Sequence, residues 1–300
     1  MRRALIVLAA LIAVGSAAYW WLTRPDPLPA DALAGLSGDA GRGERVFLAA
    51  GCASCHVGPE TEVEGDGPPL LAGGQRFTTG FGTFLAPNIS PGPEGVGDWS
   101  DAEIVDAMMR GVSPDGAHYY PALPYAAYIH ADPADMLDLV AYLRTLPVAD
   151  TPSQPHEVAF PFNIRRNVGL WKRLYLTPDW VMEEPGTAEI ERGRMLVEGL
   201  AHCGECHTPR DALGGLERDA WLHGAANPSG DGRIPGIDPT HLDWSRSDIA
   251  AYLTTGLTPD YDSAGGEMVA VIDKLGQLPD EDIDAITAYL KALPGGASGE

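Results

Sequence analysis

Two pentapeptides of the form Cys-x-x-Cys-His are the residues in this sequence best suited to chemistry. They run from Cys52 to His56 and from Cys203 to His207. Two thiols three residues apart can add to the two vinyl groups of one haem, and the histidine directly after the second thiol can then bind the iron. One such motif alone would also fit a zinc half-site or a thioredoxin-type redox pair. A zinc site using both cysteine pairs would leave both histidines unexplained.

We therefore predict two covalently attached haem c groups. The predicted attachment and iron-binding residues are Cys52, Cys55 and His56 in the first half of the chain and Cys203, Cys206 and His207 in the second. Each iron also has a sixth position, which in cytochromes c is commonly filled by methionine. Met268 is the expected ligand in the second half, because no other methionine lies between His207 and the C-terminus. Methionine ligation raises the reduction potential, whereas the alternative role for Met268 is to fill a gap in the core.

The first half departs from this pattern at its distal position. Counting 145 residues back from Met268 gives Leu123, whose side chain cannot bind iron. The remaining candidates are two histidines and three methionines. The histidines flank the loop that should cover the first haem, and the methionines lie in predicted helices, where packing is the expected role. The candidates are His118, His130, Met108, Met109 and Met136.

The sequence repeats itself once, which indicates two tandem domains. Three landmarks recur at nearly constant offsets: Cys52 to Cys203 is 151 residues, Trp99 to Trp244 is 145, and Tyr142 to Tyr289 is 147. We predict a membrane anchor or signal sequence at 1–24, a first domain at 38–148, a linker at 149–185 and a second domain at 186–296.

Apolar periodicity and capping residues predict short helices joined by long loops. The expected helices are Gly43–Ala50, Asp101–Arg110, Ala134–Leu146, Ile190–Leu200, Arg246–Thr254 and Asp280–Leu293. Ser100 and Ser245 are predicted N-caps, and Ser100 with Glu103 forms a capping-box pattern. No stretch alternates like a strand for more than a few residues.

Composition limits the partners of this chain. Its 42 acidic and 20 basic residues give a formal charge of −22, which disfavours binding to nucleic acid or to anionic lipid. Soluble partners are expected to present basic faces, and such encounters weaken with salt. The basic linker residues Arg165, Arg166, Lys172 and Arg173 are expected to contact haem propionates or a partner, or to form salt bridges with the acidic body.

The N-terminus predicts export. Arg2 and Arg3 precede an apolar run at 4–22 that ends in Tyr19, Trp20 and Trp21. Such a run approaches the length of a membrane-spanning helix, and the arginines place its start in the cytoplasm. Ser16-Ala17-Ala18 is a possible signal-peptidase site, but the aromatic residues directly after it favour an uncleaved anchor. We predict an inner-membrane protein whose body lies in the periplasm.

The chain resembles dihaem c-type cytochromes related to the cytochrome subunits of membrane-bound alcohol and gluconate dehydrogenases. The matching stretches are GCASCH, LLAGGQRFTTGFGTFLAPNISPGPEGVGDWSDAEI, GVSPDGAHYYPALPY, PFNIRRNVGLWKRLY, HCGECHTPRDALGGL and GRIPGID. The resemblance implies a mainly α, loop-rich fold of two class I cytochrome c domains after an N-terminal transmembrane helix. It also implies electron transfer from a partner dehydrogenase towards quinone or a terminal oxidase.

For the first haem, the resemblance implies a distal methionine where this chain has Leu123, or eight residues later, where it has Ala131. His130 adjoins the second of these places, so we predict His130 as the ligand, with His118 second and an open site as a third option. The resemblance also suggests that Pro87 and Pro235 pack against the proximal histidines. The third haem domain typical of the alcohol-oxidising subunits is missing from this sequence.

Electron transfer without a reaction of its own is the function these observations favour. The main alternative is a dihaem oxidoreductase of the peroxidase or thiosulfate-oxidising type, which would use an open first haem. A third hypothesis is a structural subunit that organises an oxidase assembly.

Overall fold

The computed structural model describes residues 1–59, 67–228 and 232–295. The chain is mainly helical and rich in loops, as predicted. Residue 296, the predicted end of the second domain, lies outside the described residues. The α-helices of the described residues are α1 (Arg2–Leu22), α2 (Ala40–Ala49), α3 (Cys52–His56), α4 (Asp101–Arg110), α5 (Tyr125–Tyr128), α6 (Pro133–Leu143), α7 (Val168–Tyr175), α8 (Ala188–Arg194), α9 (Gly204–His207), α10 (Arg246–Thr255), α11 (Met268–Leu275) and α12 (Asp280–Ala292).

The first and last helices of each repeat cross at a glycine. Gly43 of α2 packs so tightly on α6 that an added Cβ atom would lie 1.9 Å from the carbonyl oxygen of Asp138. Gly193 of α8 packs on α12 in the same way, and its added Cβ would lie 2.0 Å from the carbonyl oxygen of Ala285. Only glycine permits so close an approach of two backbones. The repeat in the sequence is therefore a repeat in the structure.

Helix caps explain where several helices begin. The capping box predicted at Ser100 and Glu103 is confirmed, and Ser245 forms a second one with Asp248 at the start of α10. Helix α2 begins three residues before the predicted Gly43, because the Asp39 carboxylate accepts a hydrogen bond from the backbone N–H of Arg42 at 2.9 Å.

The helix predicted at Ile190–Leu200 changes its winding part-way. It is α-helical only to the end of α8, and Met195–Leu200 form a π-helical segment. Such bulges are often found near functional sites, and this one leads directly into the second Cys-x-x-Cys-His motif.

Two short hairpins contain strands that the sequence analysis did not predict. Strand β1 (Arg76–Thr79) pairs antiparallel with β2 (Gly82–Leu85), and β3 (Ala225–Ala226) pairs antiparallel with β4 (Arg233–Ile234). Strands of two to four residues are too short to show a period-2 pattern, so the sequence gives no signal for them.

Helix α1 is long and apolar enough to cross a membrane, and none of its residues is buried against the rest of the chain. Its C-terminal end is held by the linker. The Arg166 guanidinium donates to the carbonyl oxygen of Trp20 at 2.9 Å and lies 3.7 Å from the centre of its ring. Arg173 donates to the carbonyl oxygen of Leu22 at 3.2 Å. These cations neutralise the negative end of the helix.

The linker also forms helix α7, which the sequence did not predict. Lys172 donates to the carbonyl oxygens of Arg110 and Gly111 at the end of α4, at 2.6 and 2.7 Å, and Arg165 donates to that of His118 at 2.6 Å. Among the described residues, the basic side chains of the linker form no salt bridge. In the described part of the chain, these side chains bind backbone carbonyls where ion pairs with the acidic body were one expectation.

One hydrophobic core runs through both repeats, from Val46 to Leu293. At its edge, the carboxylate of Asp282 in α12 accepts from Arg45 of α2 at 2.6 Å and from Arg192 of α8 at 2.7 Å. The ring of Tyr128 in α5 meets that of His202 edge-on at 5.7 Å. Because side chains of both halves share these contacts, the two halves pack as one body.

Candidate haem-binding sites

The first Cys-x-x-Cys-His motif forms the single-turn helix α3. Gly51 starts it with φ +61°, a left-handed conformation that turns the chain sharply after α2. His56 lies at the end of α3, and its Nδ1 atom is 2.8 Å from the carbonyl oxygen of Pro87. A carbonyl oxygen can only accept a hydrogen bond, so Nδ1 carries the proton and Nε2 keeps its lone pair.

The second motif repeats this arrangement around α9. His202, with φ +41°, takes the place of Gly51 before the first cysteine. The Nδ1 atom of His207 donates to the carbonyl oxygen of Pro235, again at 2.8 Å. Metal-binding histidines almost always donate their second ring N–H in this way, which fixes the tautomer and orients the ring.

The ionisation of both motifs suits iron binding and thioether formation. Burial lowers the pKa of His56 and of His207, so both imidazoles are neutral at pH 7. Burial raises the pKa of the Cys52 and Cys203 thiols to about 12, so neither is ionised before attachment. Two cysteines free of disulfides and an oriented imidazole with a free Nε2 are the set that haem c requires. The residues of each motif are therefore suited to hold one haem c.

The two motifs lie close to each other. Burial, followed by the charges of Glu267 and Cys206, raises the pKa of Cys55 to about 11. Burial also raises the pKa of Cys206, with Glu205 and Glu267 acting in the same direction. The second cysteine of each motif is thus within electrostatic reach of the same carboxylate.

Met268, the predicted distal ligand of the second haem, is the first residue of α11. It is partly buried against the core and follows Glu267, the carboxylate that acts on both motifs. The chain therefore places Met268 next to a carboxylate that lies within electrostatic reach of both motifs. Its bond to iron stays a prediction.

The two positions at which the resemblance implies a distal methionine for the first haem carry no ligand atom. Leu123 packs against the core and Ala131 is 8% exposed within it. The ring of His130 instead stacks on Trp180 of the linker, with 4.4 Å between ring centres, and borders a cavity of about 490 Å³ between the two halves. Burial lowers the pKa of His130 to about 4, so its imidazole is neutral, as iron binding requires. The assignment of His130 as a ligand stays a prediction.

His118, the second candidate, has another bond. Its Nε2 donates to the carbonyl oxygen of Thr23 at 2.9 Å, and its side chain is almost fully buried. Thr23 directly follows α1, so His118 connects the first-half loop to the base of the N-terminal helix. This bond satisfies Nε2, whereas the buried Nδ1 atom of His118 has no hydrogen-bond partner among the described residues, so His118 stays the second candidate.

Comparison with known proteins identifies the family. The cytochrome c family model matches residues 40–147 and 190–294, once in each repeat. The chain belongs to the cytochrome c family.

This cytochrome is 52% identical over 295 residues to a protein named diheme cytochrome c-type from Cereibacter sphaeroides, covering 98% of this chain and 99% of that one. It is 37% identical to the fructose dehydrogenase cytochrome subunit of Gluconobacter japonicus, covering 85% of this chain and 53% of the relative. It is 34% identical to the gluconate 2-dehydrogenase cytochrome c subunit of Pantoea cypripedii, covering 84% and 59%. The chain thus spans little more than half of these two dehydrogenase subunits.

These matches confirm the predicted resemblance, the fold class and the cofactor. The protein has two cytochrome c segments, carries two covalently bound haem c groups and transfers electrons. The resemblance to cytochrome subunits of membrane dehydrogenases is equally confirmed.

A buried polar network that the sequence analysis missed supports the second site of this cytochrome. The carboxylate of Glu198, in the π-helical segment, accepts from the backbone N–H groups of Val181 and Met182 at 2.6 and 3.0 Å and from the Tyr289 hydroxyl at 2.7 Å. Trp221 donates to the same hydroxyl at 3.0 Å. One signal in the sequence could have revealed this network. Glu198 is an acidic residue inside the apolar run before Cys203, and burying its charge without a partner would cost free energy.

Proposed function

We propose that this chain is a membrane-anchored dihaem cytochrome c that passes electrons, outside the cytoplasmic membrane, from a dehydrogenase or quinol-linked donor towards a terminal acceptor. Each bound haem supplies one reversible electron. The chain's own residues hold two such groups in matching proximal settings, His56 on Pro87 and His207 on Pro235. The observation that carries the proposal is the pair of Cys-x-x-Cys-His motifs with matching histidine settings, held within one packed body.

The direction of transfer follows from the distal ligands we propose. His130 at the first iron and Met268 at the second would give the first haem the lower potential, since methionine ligation raises it. Electrons would then enter at the first half and leave from the second. Two indistinguishable high potentials in a redox titration would contradict this order.

The partner we propose is a redox protein with a basic docking face. The net charge of −22 supports this choice. The relatives named as subunits of fructose and gluconate dehydrogenases suggest a dehydrogenase as donor. Electron transfer to such a partner should slow as salt concentration rises, because salt screens attraction between exposed charges.

Ligand binding by the reduced holoprotein tests the carrier function. We expect carbon monoxide to leave the optical spectrum of the wild type unchanged, because both irons already hold two protein ligands. His130→Ala should bind carbon monoxide at the first haem, whereas His118→Ala, the matched control, should not. The reverse result for the two variants would make His118 the ligand.

An enzymatic function is the second candidate, and Leu123 and Ala131 are the observations that favour it, since neither offers the iron a ligand. If the wild type itself bound carbon monoxide and showed high-spin iron, the first site would be open. The chain would then be a dihaem oxidoreductase of the peroxidase or thiosulfate-oxidising type, and Ala131→Met should close the site.

We also propose that α1 stays attached as an inner-membrane anchor with the body in the periplasm. The hydrogen bond from the Tyr19 hydroxyl to Asn167 at 2.9 Å and the contacts of Trp20 with Arg166 support this, because they hold the residues that directly follow the Ser16-Ala17-Ala18 site against the body. The mass of the purified holoprotein should include residues 1–18, and carbonate washing should leave the protein in the membrane. A mature chain that begins near Tyr19 and is released in soluble form would contradict an anchor.

A further inference from the structure

Three side chains beside the second haem site form a cluster of a different kind. His223, Asp238 and His241 come from two neighbouring turns, and one donor atom from each lies within 4.8 Å of the other two. The two imidazole rings are 5.0 Å apart between centres. Both histidines are exposed on one side, whereas Asp238 is only 2% exposed. We call these three residues the His223 cluster.

The turns that carry the His223 cluster are fixed by backbone hydrogen bonds. Ile237 donates to the carbonyl oxygen of Leu222 at 2.8 Å, which joins the two turns directly. Leu222 is fully buried and donates to the Thr208 hydroxyl at 3.0 Å. The β3–β4 hairpin pairs the segments between the turns. The donor atoms are therefore brought together before any ligand arrives, which lowers the cost of binding.

The donor set suits a borderline divalent cation. Two imidazole nitrogens and one carboxylate oxygen form the type of three-ligand set that binds Zn²⁺ and leaves a fourth position open to water. Imidazole also binds Cu²⁺, whereas Mg²⁺ and Ca²⁺ prefer sites made of oxygen atoms alone. Metal bonds of about 2.0–2.2 Å at tetrahedral angles place donor atoms roughly 3.3 Å apart. The donor atoms lie within 4.8 Å of one another, so each pair would have to approach by roughly 1.5 Å or less to reach that spacing.

Asp238 already has a structural role, which the proposal must accommodate. Its carboxylate accepts from the backbone N–H of Thr240 at 2.9 Å and lies 2.5 Å from Nδ1 of His241. A carboxylate that orients a histidine in this way is a common partner of metal-binding imidazoles. Asp238 can therefore bind the ion itself or hold His241 for binding through Nε2, and both arrangements use the same three residues.

The His223 cluster adjoins the proximal side of the second haem. Gly224, the residue after His223, donates to the carbonyl oxygen of His207 at 2.7 Å. Pro235, three residues before Asp238, accepts from the ring of His207 at 2.8 Å. A dication in the cluster would therefore act electrostatically on the His207 iron and disfavour its more positive, oxidised form.

We propose that His223, Asp238 and His241 form a binding site for one divalent transition-metal ion, Zn²⁺ or Cu²⁺, and that occupancy raises the reduction potential of the second haem. Metal binding does not depend on the proposed electron-transfer partners, so the two proposals can fail separately.

Titration of the full-length holoprotein in detergent, after treatment with a chelator, tests the site. We expect one Zn²⁺ per chain by calorimetry, and His223→Ala and His241→Ala should each weaken binding at least about tenfold. Asp243→Asn removes one exposed charge from the same segment without a cluster ligand and should leave affinity within about twofold. His223→Gln is a second variant of similar size, to be used if His223→Ala alters the haem spectrum.

Copper provides an independent measurement. Cu²⁺ bound to the wild type should give an electron paramagnetic resonance signal coupled to two imidazole nitrogens, and each histidine variant should lose one of them.

Zn²⁺ should shift the higher of the two reduction potentials upward in the wild type and leave it unchanged in His241→Ala. Absence of binding, or equal binding in both histidine variants, would overturn the site, and binding without a shift in potential would overturn the coupling.

Discussion

Met268→Leu is expected to convert the second haem from a high-potential site to a low-potential site with an open sixth position. Removing a thioether ligand should lower the reduction potential by on the order of hundreds of millivolts, because axial ligands set haem potentials over a range of about 0.8 V. The variant should lose the weak thioether-to-iron charge-transfer band and bind carbon monoxide after reduction. Spectroelectrochemistry of the two holoproteins measures all three changes.

Met109→Leu is the matched control for this experiment. Met109 is 4% exposed in α4, so its replacement by leucine keeps an apolar residue of similar volume in the core. Such swaps usually cost less than about 1.5 kcal/mol, and Met109 is not the ligand that we propose for either iron. If Met268→Leu kept its potential and its charge-transfer band, Met268 would be a packing residue and the ligand of the second iron would have to be another group.

Asp282→Ala is expected to have the largest effect on stability. The buried carboxylate joins α2 of the first half and α8 of the second half to α12, through Arg45 and Arg192. Breaking a buried ion pair by removal of one partner typically costs about 3–5 kcal/mol. Both arginines are about one-third exposed and keep part of their hydration, so we expect a loss of about 3 kcal/mol. Urea unfolding followed by far-ultraviolet circular dichroism measures it.

Glu281→Ala is the control, because Glu281 is the preceding residue and pairs with the same Arg45. Its side chain is 72% exposed, so its loss should cost less than about 1 kcal/mol. Equal destabilisation by the two variants would show that the buried bridge adds nothing beyond surface charge.

The effect of Asp282 should depend on pH in a defined direction. Burial alone would raise the pKa of Asp282, but the hydrogen bonds from Arg45 and Arg192 outweigh burial and lower it. A lowered pKa means that the stabilisation is complete above the unfolded value of about 3.9 and is lost as pH falls through the folded value. The difference in unfolding free energy between wild type and Asp282→Ala should therefore be constant near pH 7 and shrink below about pH 4.

Local signals in the sequence predicted a large part of this structure. The capping box at Ser100 and Glu103 depends on residues three apart, so a short window contains all the information it needs. The cofactor followed from the chemistry of two pentapeptides and from their repetition. Pro87 and Pro235 were singled out by resemblance, and the structure gives their carbonyl oxygens a definite contact with His56 and His207.

Contacts between distant residues could not be predicted in the same way. In a chain with 42 acidic residues, nothing local distinguishes Asp282 as the one that two arginines share. Helix α7 lies in a proline-rich linker, where its eight residues give too short a pattern to recognise. The bond from His118 to Thr23 spans 95 residues and depends on where α1 meets the body.

The contacts at the base of α1 also bear on how this protein would meet its partners. Arg166, Arg173 and His118 bind three successive parts of the chain end that leaves α1, at Trp20, Leu22 and Thr23. Three such bonds restrict rotation of the body relative to α1, which a flexible tether would allow. With α1 in a membrane, the haem-bearing body would stand at one height and one tilt, so a partner moving in the same bilayer would need only to rotate about the membrane normal to find the matching face.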